Sequence, residues 1–177
     1  MKKLLVRGDD LGYSEGVTLG MLSAYEKGIV NSMAIMINMP YAKEAILLAK
    51  KHKGLCLGLH VNVTNGKALA PIDQIPTLVD ENGVFISSRF RREQLIKGEV
   101  LFNEDEAYLE AKYQIERYID WVGQLPEYID LHVLEVPELI NAVLRVYQEY
   151  QVPVCIYDKC FDKSIHEQAM KQYEYYQ

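Results

Sequence analysis

The chain has 177 residues, a formal net charge of −6 at pH 7 and an isoelectric point near 5.3. That length suits one domain with a real core and falls short of the about 250 residues usual for a complete eight-unit α/β barrel. The basic residues are scattered or compensated, as in "RFRREQLIKGE", and no Pro/Gly/Ser-rich linker interrupts the chain, so the composition is globular and argues against nucleic acid as a partner.

In chain order, short apolar β-rich runs alternate with longer helical patterns, which predicts βαβ units and an α/β fold with a mainly parallel sheet. Strands are expected at "KLLVRG", "VNSMAIMIN", "GLCLGLHVNV", "EYIDLHVL" and "VPVCIYD". The apolar run of the first, Leu4 to Val6, is too short for a signal h-region or a membrane span, so a cytoplasmic protein that makes no membrane contact is expected. Between the first two strands, "SEGVTLGMLSAYEKG" carries an N-cap candidate in Ser14, an apolar stripe at Val17, Met21, Leu22 and Tyr25, and a terminating Gly28. A second helix, "YAKEAILLAKKHKG", follows Pro40 and ends on Gly54.

From Asn65 to Gly98 the rhythm breaks. This stretch holds Pro71, Pro76 and the turn "DENG", and reads as a long excursion from the third strand, a kind of loop that often carries function. Helices are expected from about Glu104 to Val122 and from about Pro137 to Gln151, and the tail "SIHEQAMKQYEYYQ" as a last helix with a tyrosine face. Cys56, Cys155 and Cys160 form no CxxC pair and are expected as buried, reduced thiols.

Of the four histidines, His52 stands at a helix end and His166 in the tail, whereas His60 and His132 stand at or near the ends of predicted strands. In parallel α/β sheets the carboxyl ends of the strands form one rim, where sites are assembled from segments distant in sequence. The adjacent acids Asp9 and Asp10, with His60 and His132, would converge there and offer one carboxylate and two imidazoles to a divalent metal, with open positions for water and substrate. Each histidine alone reads more readily as a satisfied core or rim residue. The coincidence of three strand ends, each with a ligand type, is what points to a site. Asp130, two residues before His132 on the same strand face, is a candidate carboxylate behind a metal-bound imidazole.

These residues carry a family resemblance. "LLVRGDDLGYSEGVTLGMLSAYEKGIVNSMAIMINMPYAKEAILLAK" resembles the opening of the YdjC-like (ChbG-type) carbohydrate deacetylases, with their "NADDFG" turn and "GIVTSTSLMVN" strand. "LGLHVNVTNGKAL" is similar to that family's "GLHLNLT.GKPL", and "PEYIDLHVLEVPEL" looks like a reduced "PTHIDSHHHVHxxPE". The likeness runs over most of residues 3 to 155. It implies a (β/α)-barrel-like fold related to the polysaccharide deacetylases, and metal-dependent hydrolysis of N-acetyl groups on small amino sugars such as chitooligosaccharides. It also implies that Asp10, His60 and His132 are the metal ligands and that Asp9 is the general base. Oxygen-rich ligation favours magnesium, and two imidazoles favour zinc, manganese or cobalt.

The chain departs from that pattern in three places. Arg7 stands where the family has the asparagine of "NADDFG", Val133, Leu134, Glu135 and Val136 replace the histidine-rich cluster, and a late "CHP" segment has no counterpart. The 177 residues are therefore expected as a single YdjC-like domain lacking the family's C-terminal part. Its form would be an incomplete or distorted barrel, with the free edge covered by the tyrosine-rich tail, by a second copy in a homo-oligomer, or by residues beyond this sequence. On that ground little or no deacetylase turnover is expected of these residues by themselves. The competing readings are a carbohydrate-binding or regulatory protein that kept the fold, and a metal-dependent hydrolase of a phosphate or simple amide.

Overall fold

A computed structural model of the chain describes residues 5–99 and 102–158. Four strands, β1 (Arg7–Leu11), β2 (Ser32–Ile35), β3 (Cys56–Val61) and β4 (Ile129–Leu131), pair in parallel in that order to form one open sheet. Five α-helices accompany them: α1 (Glu15–Lys27), α2 (Ala42–Ala49), α3 (Ser88–Ile96), α4 (Glu104–Val122) and α5 (Pro137–Tyr150). The expected fifth strand, "VPVCIYD", contributes a single parallel rung beside β4, where Ile129 N donates to Val154 O at 3.0 Å and Ile129 is bridged to Cys155. The expected tail helix, His166 and Cys160 lie outside the described residues. Cys56 and Cys155 are free thiols, half-buried and buried.

Local chemistry accounts for most boundaries. Ser14 caps α1 by accepting from Val17 N, and Asn103 caps α4 by accepting from Asp105 N and Glu106 N at 2.9 and 3.2 Å. Gly123 closes α4 in the left-handed conformation, and Pro137 occupies the first turn of α5. Helix α2 stops a full turn before Gly54, because Lys51 N and His52 N close tighter bonds onto Leu48 O and Ala49 O.

Helix α3 lies inside the stretch expected to be a long loop. Its only buried residue is Arg91, whose guanidinium lies 4.6 Å from the centre of the Phe102 ring, so no apolar stripe announces it in the sequence. The rest of the excursion is tied back on itself by antiparallel bridges between Lys67 and Val84 and between Val79 and Phe85.

Strands β2, β3 and β4 are buried on both faces, as is usual in a parallel sheet, with Met33, Ala34, Ile35, Leu59 and Ile129 fully buried, whereas the edge strand β1 is largely half-buried. Each such leucine, isoleucine or methionine contributes about 1.5–3 kcal/mol by leaving water. Gly58 of β3 passes under the Tyr128 ring, where an added Cβ would lie 2.3 Å from the nearest ring carbon. Tyr128 is held there by Ser32 Oγ, 3.0 Å from its hydroxyl. Helix α4 turns one face inward along Ala107, Glu110, Ala111, Gln114, Ile115 and Tyr118, a helical repeat that includes two polar residues.

Candidate metal centre

The carboxyl ends of β1, β3 and β4 form one rim. There the β1–β2 register breaks between Gly8 and Leu11, and Asp10 adopts a left-handed conformation (φ 71°) before Gly12 (φ 85°) makes the turn. Aspartate tolerates that region better than most residues, because its short polar side chain bonds locally. The bend takes Asp10 out of simple strand alternation. Asp9 and Asp10 turn to different partners.

Asp10 Oδ1 lies 2.9 Å from His132 Nδ1 and 3.4 Å from His60 Nε2, and those two ring nitrogens are 3.4 Å apart. The rings meet nearly edge to face at 81°. His60 and His132 are buried and Asp10 is half-buried, so the group opens to solvent beside the carboxylate. Although enclosed by two ring nitrogens, Asp10 Oδ1 accepts no hydrogen bond. Neither ring nitrogen meets it in hydrogen-bonding geometry.

This arrangement fits a metal ion. Donor atoms held on one ion at about 2.1 Å lie about 3.0 Å apart in octahedral geometry and about 3.4 Å apart in tetrahedral geometry. The three observed separations fall at those spacings, and the donor set of one carboxylate and two imidazoles suits a divalent cation. Electrostatics agree. The adjoining His132 and His60 rings hold the Asp10 carboxyl well below the usual carboxylate range. Burial works to lower the His60 pKa, but Asp10 and Asp130 outweigh it and raise the value to about 9.

Behind His60, Asp130 Oδ1 lies 2.8 Å from Nδ1 and leaves Nε2 facing the centre. The imidazole that Asp130 supports is thus His60, across the strand pair, and not His132 on its own strand. The other nitrogen of His132, Nε2, is 3.0 Å from the Asn65 side-chain amide. Asp9 stands on the far side of Asp130, exposed, where Arg7 grips both its oxygens: Nε to Oδ1 at 2.6 Å and Nη2 to Oδ2 at 2.9 Å. Arg7 Nη1 also pairs with the buried Asp130 Oδ2, so one guanidinium bridges the two acids, with Tyr128 5.9 Å beneath it. Asp9, His60 and Asp130 form a second close group whose cation is Arg7 itself.

The structure thus brings Asp10, His60, His132 and Asp130 together, and sets Asp9 beside them in an ion pair. His52 stays away from the site, edge-on to Tyr25. Two contributors escaped the reading of the sequence, Arg7 and Asn65. Arg7 stood out only as a departure from the family motif. Asn65 left one faint signal, a pair of asparagines, Asn62 and Asn65, in the run "VNVTN" that continues the apolar pattern of β3.

The chain is 36% identical over 154 residues to the carbohydrate deacetylase of Geobacillus stearothermophilus, covering 85% of this chain and 58% of that protein. It is 31% identical over 159 residues to carbohydrate deacetylase 2 of Listeria innocua, covering 88% and 61%. Against the chitooligosaccharide deacetylase of Serratia marcescens it is 36% identical over 131 residues, covering 74% and 49%. The chain thus spans between about half and three fifths of the length of these relatives. A crystal structure from Enterococcus faecalis, provisionally described as a cellobiose-phosphate cleavage protein, superposes with a TM-score of 0.75 at 30% identity, covering 85% of this chain and 57% of that one. The sequence model of the YdjC-like proteins matches residues 3–175, and the chain belongs to that family.

Proposed function

We propose that the protein is a metal-dependent hydrolase that removes N-acetyl groups from small amino sugars such as chitooligosaccharides. The observation that carries this reading is the convergence of Asp10 Oδ1, His60 Nε2 and His132 Nδ1 at spacings suited to one divalent ion, in a chain whose relatives are carbohydrate deacetylases. A divalent ion held there supplies Lewis acidity towards the amide carbonyl and lowers the pKa of a bound water.

The chain's own residues do the rest. Asp130 holds the His60 proton at Nδ1 and so keeps Nε2 free for the ion. Asp10 contributes the negative charge. Asp9 is assigned as the base that takes the water's proton, with its carboxylate oriented by Arg7. Magnesium is our first choice of ion, with manganese and zinc as alternatives, and we assign the reaction to the cytoplasm and to a small amino sugar.

The bidentate Arg7–Asp9 pair favours one competing reading, a carbohydrate-binding or regulatory protein that keeps the ion without turnover. Incubating the metal-depleted chain with diacetylchitobiose, then adding Mg²⁺, Mn²⁺ or Zn²⁺, separates the two. Because the chain spans only part of its relatives, the result is read as the metal dependence of acetate release and not as its absolute rate. Metal-stimulated release supports the hydrolase. Stoichiometric ion uptake with sugar binding and no acetate supports the binding protein.

A further inference from the structure

The two imidazoles of the centre are supported in different ways. A neutral imidazole has one lone pair, so a ring nitrogen that ligates an ion requires the proton on the other nitrogen and an acceptor for it. For His60 that acceptor is the carboxylate of Asp130, which can only accept. For His132 the ligating atom is Nδ1, and Nε2 meets the side-chain amide of Asn65 at 3.0 Å. An amide can present either its oxygen or its nitrogen. The two ends are told apart only by the network around them. Here Nδ2 faces the ring, an orientation that calls for the His132 lone pair at Nε2 and its proton at Nδ1.

The backbone that carries Asn65 leaves little freedom except that rotation. Asn65 N donates to Asn62 Oδ1 at 3.1 Å, and Asn65 O accepts from Asn62 Nδ2 at 2.8 Å and Asn38 Nδ2 at 2.9 Å. Asn62 is gripped in turn by Gln114 of α4, which accepts from its N–H at 3.0 Å and donates to its carbonyl at 2.6 Å. Gln114 is anchored to Glu110 at 2.8 Å. Five polar residues from the ends of β2 and β3 and from α4 thus place one amide against one imidazole. No packing requirement of an apolar core explains such a chain.

We propose that Asn65 is a positioning residue for His132: with an ion in the centre its side-chain oxygen turns to accept the Nε2 proton, holding Nδ1 as the ligand. The inference rests on the reading of Asp10, His60 and His132 as a metal centre. Because an amide can face either way, Asn65 accommodates both the ion-free ring, with its proton at Nδ1, and the ion-bound ring. Asp130 offers His60 no such choice.

The test uses Zn²⁺, which is diamagnetic, on the full chain. Titration calorimetry of the unaltered protein, of Asn65→Leu and of Asn65→Asp is combined with ¹⁵N spectra of the histidine side chains in the Zn²⁺-loaded unaltered protein. Asn65→Leu should weaken Zn²⁺ binding about 10- to 100-fold, the usual effect of removing a partner behind a metal-bound histidine. Asn65→Asp, which can only accept, should bind at least as tightly as the unaltered chain. The spectra should show His132 protonated at Nε2 and bound through Nδ1. Unchanged affinity in Asn65→Leu, or His132 bound through Nε2 in the unaltered protein, overturns the proposal and leaves the metal centre standing. No Zn²⁺, Mn²⁺ or Mg²⁺ uptake by the unaltered chain overturns both. The spectra require no variant to fold.

Discussion

His60 and Asp130 are register partners on the neighbouring parallel strands β3 and β4, and their side chains meet at 2.8 Å on the face that looks into the site. In a parallel pair, residues in register present their side chains to the same face, so the pairing of two backbones sets this contact directly. It orients His60 before any ion arrives. The consequence is a division of roles that substitution can separate.

Asp10→Asn, His60→Ala and His132→Ala should each lower the affinity for Mn²⁺ or Zn²⁺ by more than about 100-fold, because each removes a donor atom, whereas the loss of an outer partner costs about 10- to 100-fold. Asp9→Asn should leave uptake within a few-fold and abolish acetate release. Metal titration monitored by calorimetry checks the set. Loss of uptake in Asp9→Asn with normal uptake in Asp10→Asn would reverse the two acids.

Arg7 pairs with one oxygen of the fully buried Asp130, whose other oxygen faces His60. Arg7→Met leaves that carboxylate with His60 alone as its partner, and about 1–3 kcal/mol of stability should be lost, discounted from the cost of breaking a deeper pair because Arg7 is partly exposed. Urea denaturation of Arg7→Met, Asp130→Asn and the double variant measures the coupling. A double variant no better than the sum of the singles would show that the two residues act independently.

Val133, the residue after His132, is held at φ 69°, a conformation that a β-branched side chain resists. Asparagine accepts it readily. Val133→Asn should therefore raise stability by about 0.5–1.5 kcal/mol, seen as a higher midpoint in thermal or urea unfolding, with Zn²⁺ uptake unchanged. A lower midpoint would mean that the packing of Val133 against the core outweighs its backbone strain.

Glu110 predicts a pH dependence. It is fully buried, and burial pushes its pKa from the usual 4.5 up to about 7 against the pull of Ala70 N, Gln114 Nε2 and Leu69 N. With the folded value above the unfolded one, the folded state binds more protons between pH 4.5 and 7. Stability from this group is therefore present at the acid end of that window and is lost as pH rises through it, by about 1–3 kcal/mol. Unfolding midpoints recorded from pH 4.5 to 7.5 should fall more steeply with rising pH for the unaltered chain than for Glu110→Gln. Parallel curves would remove Glu110 from the account.

The local sequence determined what is local. Ser14 and Gly28 bound α1, Glu104 to Val122 is the helix expected from its pattern, and the β-rich runs at "NSMAIM" and "LCLGLHV" become β2 and β3. Asp10, His60 and His132 were legible as candidates because ligand types at strand ends are a pattern of composition and position. Tertiary structure decided what depends on register and on backbone bends. Which imidazole Asp130 supports follows from β4 pairing with β3, a contact between residues 70 apart that no strand pattern encodes. Asp9 turns to Arg7 while Asp10, at a left-handed bend, turns to the histidines, and adjacent letters do not reveal which acid meets which partner. The place of Asn65 beside His132 follows from a polar network rooted in α4, whose members look in the sequence like ordinary surface amides. Helix α3 was missed for the same reason: its one buried side chain is an arginine stacked on a phenylalanine, and only the folded chain supplies that partner.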